Sequence, residues 1–77
     1  MDVTIYTRRD GKVEEFTLQV WYFATVKEIK EAIGKRKEVP VASMQLFLGG
    51  SELMDDKNTE DYSIVQGSRI RLVYYDE

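Results

Sequence analysis

The sequence predicts an α+β domain in which a mixed sheet of four to five strands packs on one α-helix. Three observations carry that expectation. Apolar and polar residues alternate near both ends of the chain, the period-two mark of strands with one buried face. Between them a single apolar stripe recurs at the helical spacing i, i+3, i+4, i+7. Asp10-Gly11 and Gly49-Gly50 supply the tight reversals that join strands.

The first strand is read from Met1 to Arg8, with Val3, Ile5 and Thr7 on one face and Thr4, Tyr6 and Arg8 on the other. Arg9-Asp10-Gly11-Lys12 is the turn, and Asp-Gly is among the strongest hairpin signals. A second alternation starts after Val13-Glu14-Glu15, with Phe16, Leu18 and Val20 inward and Thr17 and Gln19 outward. Trp21-Tyr22-Phe23 follows. Three adjacent aromatics exceed what a domain this small can bury. Phe23 is expected to pack in the core or staple the helix start, while Trp21, with Tyr22, marks a second contact surface, since exposed Trp and Tyr are favoured at binding hot spots.

Thr25 with Glu28 three residues on fits a capping box, in which each side chain satisfies a backbone N–H that the helix leaves unpaired. Val26, Ile29, Lys30 and Ile33 then form the stripe, with Gly34 near the end of the helix or inside its last turns. Lys35-Arg36-Lys37 complements the negative end of the helix dipole. Pro40 forbids continuation and biases Val39 to extended backbone.

Met44 to Leu53 reads as a strand that reverses through the two glycines. Met44, Leu46 and Leu48 face inward, so Gln45 and Phe47 face solvent. A short strand follows around Glu52-Leu53, then a loop over Met54-Asp55-Asp56-Lys57. Asn58 with Asp61 suggests one capped helical turn, with Tyr62 and Ile64 buried. The final strand, Arg69 to Tyr75, turns Ile70, Leu72 and Tyr74 inward and Arg69, Arg71, Val73 and Tyr75 outward. The order is β-β-α-β-β-(short helix)-β, without repeats or linkers. One amphipathic helix covers one face of such a sheet and leaves the other solvated, the arrangement of a β-grasp-like domain.

Composition bounds the chemistry. Seventy-seven residues with 43% hydrophobic content make one small domain that can build a core without staples. There is no cysteine and no histidine, so the chain lacks disulfides, the thiol nucleophile, the usual general base and the commonest metal ligand. The carboxylate pairs Asp55-Asp56 and Glu60-Asp61 lie in a polar loop with no glycine-rich phosphate cradle. Neither an enzyme nor a bound cofactor or metal is expected. The setting expected is cytoplasmic or nuclear, and no apolar run reaches the ~18 residues that cross a membrane. The net charge of −3 weighs against bulk nucleic-acid binding, though where the charges sit matters more.

The ordered set Leu46-Phe47-Leu48-Gly49-Gly50-Ser51-Glu52-Leu53, Asp61-Tyr62-Ser63-Ile64 and Ile70-Arg71-Leu72-Val73 resembles the ubiquitin pattern. From Phe16 onward the likeness needs no gap, and the only length change is a longer first hairpin. The resemblance covers essentially all of residues 1–77, taken as one ubiquitin-like domain cut from a longer protein. It implies that Lys30 on the apolar stripe pairs with Asp55, and that the Tyr62 hydroxyl ties down a neighbouring loop.

Ubiquitin-like proteins are either conjugated to targets or serve as fixed domains. Conjugation requires a flexible tail ending in Gly-Gly, and this sequence runs Tyr74-Tyr75-Asp76-Glu77 without one. Ser51 and Gln66 stand where ubiquitin carries the lysines it most often uses for chain building. A conjugated modifier would therefore need an extension to Gly-Gly beyond Glu77. The family's main recognition surface is an apolar patch on the open sheet face. Phe47, Val73 and Gly50 take three of its positions here. Arg8-Arg9 replace a leucine, Arg71 a histidine and Tyr6 a lysine. The surface expected is thus flatter, more aromatic and more basic.

The leading expectation is a non-catalytic, monomeric interaction domain that docks ubiquitin-binding domains or proteasome receptor subunits through Phe47, Val73, Gly50, Arg71, Tyr6 and Arg8, without membrane contact. The competing reading is RNA binding, with Arg8, Arg69 and Arg71 beside Tyr6 and Tyr75 as a stacking platform.

Overall fold

In the computed structural model, which describes residues 1–75, strands β1 (Asp2–Arg9) and β2 (Lys12–Gln19) are joined by Asp10 and Gly11 alone. Both turn residues have positive φ, +51° and +78°, as a two-residue turn of the primed type requires. The ladder runs from Arg9↔Lys12 to Asp2↔Gln19. β2 therefore starts at Lys12, earlier than the alternation of apolar residues indicates. Its first four residues are exposed, so this end of the hairpin overhangs the core and carries no hydrophobic signal.

Helix α1 (Val26–Lys37) begins with the expected capping box. Glu28 N–H donates to Thr25 Oγ1 at 3.1 Å, and Thr25 N–H donates to Glu28 Oε1 at 3.0 Å. The stripe Val26, Ile29, Lys30 and Ile33 is buried. Gly34 lies inside the helix for a steric reason: a Cβ there would come within 2.7 Å of the Val39 carbonyl oxygen and 3.3 Å of Met44 Cε. The basic last turn has a second role. Arg36 and Lys37 lie over the Phe16 ring at 4.8 and 4.7 Å, and cover a side chain that the sheet leaves half-buried.

Glu38 ends the helix in the left-handed region at φ +58°. After Pro40, a short 3-10 turn over Val41–Ser43, which the sequence did not signal, feeds into β3 (Met44–Leu48). Gly49 and Gly50, at φ +59° and +88°, reverse the chain into β4 (Ser51–Glu52). The capped helical turn expected after Asn58 is not a helix. Asn58 and Asp61 exchange the predicted side-chain bonds at 2.9 and 3.0 Å, but Ser63 is left-handed at φ +55°. Ile64 N–H consequently reaches back five residues to the Thr59 carbonyl, at 2.8 Å, and closes a run of turns.

Strand β5 (Arg69–Tyr74) completes a five-stranded sheet in the order β2-β1-β5-β3-β4. β5 runs parallel to β1 and antiparallel to β3. The core joins Val3, Ile5, Leu18, Leu46, Ile70 and Leu72 of the sheet to Val26, Ile29 and Ile33 of the helix. Among the described residues no buried side-chain polar atom lacks a hydrogen-bond partner.

Phe23 departs from expectation. It neither joins the core nor staples the helix start, and 54% of it is exposed. Its φ of +72° turns the ring outward, which an alternation pattern cannot report.

Candidate functional site

With the helix packed on one face, the other face of the sheet is open, and register decides which side chains meet there. Tyr6 on β1 pairs with Arg71 on β5, which pairs with Phe47 on β3. The same row extends to Glu15 on β2 and Glu52 on β4. Side chains directly opposite on neighbouring strands stand about 5 Å apart and interact. Tyr6, Phe47, Arg71 and the backbone of Gly49 and Gly50 enclose a shallow depression of about 370 Å³. Phe47 is half-buried in this row rather than fully in solvent.

Val73 and Arg8 lie in an adjoining polar cleft of about 360 Å³, which shares Arg71 with the depression. The cleft opens where β1 and β5 part company, since their ladder ends at Thr7↔Leu72. Arg9 lines it too, with its guanidinium 5.1 Å from the centre of the Tyr74 ring. The resemblance put Arg8-Arg9 together at the position of the family's leucine, but only Arg8 was expected as a contact; the structure brings Arg9 to the rim of the same cleft, against Tyr74.

The charges on this face are not equivalent. Arg69 donates to Glu15 Oε2 at 2.6 Å, and its guanidinium lies 5.0 Å from the centre of the Tyr6 ring. The bond to Glu15 and its negative charge hold the Arg69 pKa above the ordinary arginine value. Arg69 thus stays charged but paired, and covers one face of Tyr6. Neither Arg8 nor Arg71 meets a carboxylate within salt-bridge distance among the described residues. Tyr75, half-exposed, lies away from this group beside Lys30 and Asp55.

Lys30, Asp55 and Tyr62 hold the scaffold. Lys30 Nζ lies 2.6 Å from Asp55 Oδ1, with the lysine side chain only 8% exposed and the aspartate 52%. Met54 N–H donates to the Tyr62 hydroxyl at 2.8 Å, tying down the loop after β4. Trp21 and Tyr22 are exposed, but Trp21 turns toward the helix start, where its Nε1–H donates to Glu28 Oε2 at 3.4 Å. Among the described residues no group of three or more acidic side chains is placed to hold a metal ion. No helix there is long and apolar enough to cross a membrane.

The five-stranded sheet, its single helix and the open row around Phe47 meet a family pattern. The model of the ubiquitin family matches residues 3–74. The chain belongs to the ubiquitin family. This ubiquitin-like domain is 42% identical over 50 residues to the ubiquitin domain-containing protein DSK2 of Saccharomyces cerevisiae, covering 65% of the chain and 13% of that protein. It is 35% identical over 48 residues to the ubiquitin-like protein NEDD8 of Dictyostelium discoideum, covering 62% of each. It is also 36% identical over 59 residues to ubiquitin-like protein 4A of Homo sapiens, covering 77% of the chain and 38% of that protein. The chain thus spans less than two thirds of the length of these relatives.

Proposed function

We propose that this ubiquitin-like domain is a non-catalytic interaction module of a longer intracellular protein, and that it docks ubiquitin-pathway or proteasomal receptors through the open sheet face. The observation that carries this reading is the row Tyr6–Arg71–Phe47, an apolar ring beside a guanidinium with no carboxylate partner among the described residues. Such a pairing suits a partner that inserts an apolar side chain and flanks it with an acid. Aromatic and arginine anchors of this kind dominate interface energetics. The likeness to DSK2, named as a ubiquitin domain-containing protein and far longer than this chain, supports the embedded role.

The test is a titration of the isotopically labelled chain with an acid-flanked ubiquitin-interacting helix and with a proteasomal receptor subunit. Shift changes centred on Phe47, Val73 and Arg71 are expected. Phe47→Ala and Arg71→Glu should each weaken binding about tenfold or more while the fold persists. Shifts confined to other surfaces would defeat the reading.

RNA binding finds less support, because Glu15 pairs with Arg69 and the Arg69 guanidinium covers one face of Tyr6. That alternative expects affinity for single-stranded RNA that falls steeply with salt. A modifier role still requires Gly-Gly after Glu77.

A further inference from the structure

The loop between β2 and α1 carries Tyr22 and Phe23 into solvent at 63 and 54% exposure, facing Val65, which is 60% exposed, across a depression of about 550 Å³. This exposure is held in place. Phe23 N–H donates to the hydroxyl of the buried Thr59 at 2.9 Å, and Thr59 N–H donates to the Ala24 carbonyl at 3.1 Å. Together they fix Phe23 at φ +72°, a conformation that residues other than glycine and asparagine rarely hold. Residues held in sparsely populated backbone conformations cluster at functional sites, and this one carries an exposed aromatic ring.

The chemistry of the depression is one-sided. Tyr22, Phe23, Ile64 and Val65 make its wall apolar, and no lysine or arginine contributes to the lining. Glu60 does contribute, and meets no cation within salt-bridge distance among the described residues. Gln66, also in the lining, donates to Asp2 Oδ2 at 3.4 Å, so a second carboxylate stands behind it. An acidic rim around an aromatic anchor repels nucleic acid and anionic lipid, and favours a cationic peptide.

We propose that Tyr22, Phe23 and Val65 form a second protein-docking surface, which takes an apolar side chain of a partner peptide whose adjacent lysine or arginine pairs with Glu60. Its lining shares no residue with the depression around Phe47, so a substitution in one surface should leave binding at the other intact.

The experiment selects a random-peptide display library against the whole chain, then measures a synthetic enriched peptide against variants. Enriched peptides that still bind the Phe47→Ala variant should carry an aliphatic or aromatic residue next to Lys or Arg. Their affinity should fall about tenfold or more in Tyr22→Ser and Phe23→Gly and remain unchanged in Phe47→Ala. The left-handed φ at position 23 suits glycine, so Phe23→Gly retains the parent circular dichroism. Selection against Glu60→Lys should instead enrich acidic neighbours. The proposal is overturned by an absence of such cationic peptides, by acidic peptides that lose binding in Tyr22→Ser and keep it in Phe47→Ala, or by cationic peptides that lose binding in Phe47→Ala. Tyr22-dependent binding to zwitterionic lipid vesicles would also overturn it, by making the surface a membrane contact.

Discussion

Glu38 ends α1 at φ +58°, in a conformation that glycine adopts without strain and glutamate does not. Glu38→Gly should therefore raise stability by about 1 kcal/mol, read as a higher urea midpoint with an unchanged slope. Four residues earlier the expectation has the opposite sign. Gly34→Ala improves helix propensity by about 1 kcal/mol, yet the new Cβ meets the Val39 carbonyl at 2.7 Å. Backbone has no easy retreat there, so the net change should be a loss of about 1–2 kcal/mol. Propensity alone would rank the two substitutions wrongly. Lys30 tests pairing at the same scale. Its head is buried while Asp55 is half in solvent, so a double-mutant cycle of Lys30→Met and Asp55→Asn should return a coupling of about 1 kcal/mol. Additive single effects would remove the pair as a stabilising contact. The position of Lys30 was legible in the apolar stripe, and Asp55 as its partner only in the family likeness. The outward turn of Phe23 was not, since the bond from its backbone to Thr59 depends on a loop 36 residues away.

Among the elements, α1 was the most legible because every signal agreed: cap, stripe, basic last turn and following proline. Its capping box also makes a pH prediction. The backbone bond from Thr25 chiefly lowers the Glu28 pKa, helped by the hydroxyl of Thr25 and the indole of Trp21, and only partly offset by desolvation. A carboxylate whose folded pKa is depressed adds stability that is present above its unfolded value, ~4.3, and lost as pH falls through the folded value. Thermal melts should thus show the parent above Glu28→Gln at neutral pH, with the gap closing through and below the ordinary carboxylate range. A gap that persists at low pH would locate the effect in packing rather than in ionisation. The overhanging half of the hairpin escaped the sequence because its pairing is set by the Asp10-Gly11 turn, while its side chains face water on both sides. The turns after Asn58 escaped for a different reason. The cap was read correctly, but a left-handed Ser63 stops the helix that a cap normally begins.

For the whole molecule, alternation told which face of each strand is buried but not which strands are neighbours. That order follows from long-range packing, and it decides the candidate surface: Phe47, Arg71 and Tyr6 are 24 to 65 positions apart in the chain and adjacent only because β5 lies between β1 and β3. The family likeness anticipated their assembly. The pairing of Arg69 with Glu15, which divides the arginines of this face into spent and available, was not anticipated, since it depends on the register of β2.

The central place of β5 has a consequence for how the fold arises during synthesis. The strand that joins the two halves of the sheet is the last to be made, and without it β2-β1 and β3-β4 are separate hairpins with no shared ladder. Isolated hairpins are marginal in water. A nascent chain stalled before Arg69 should therefore be protease-sensitive, and protection should appear in one step once Tyr74 has cleared the ribosome, because contacts this distant in sequence close late and cooperatively.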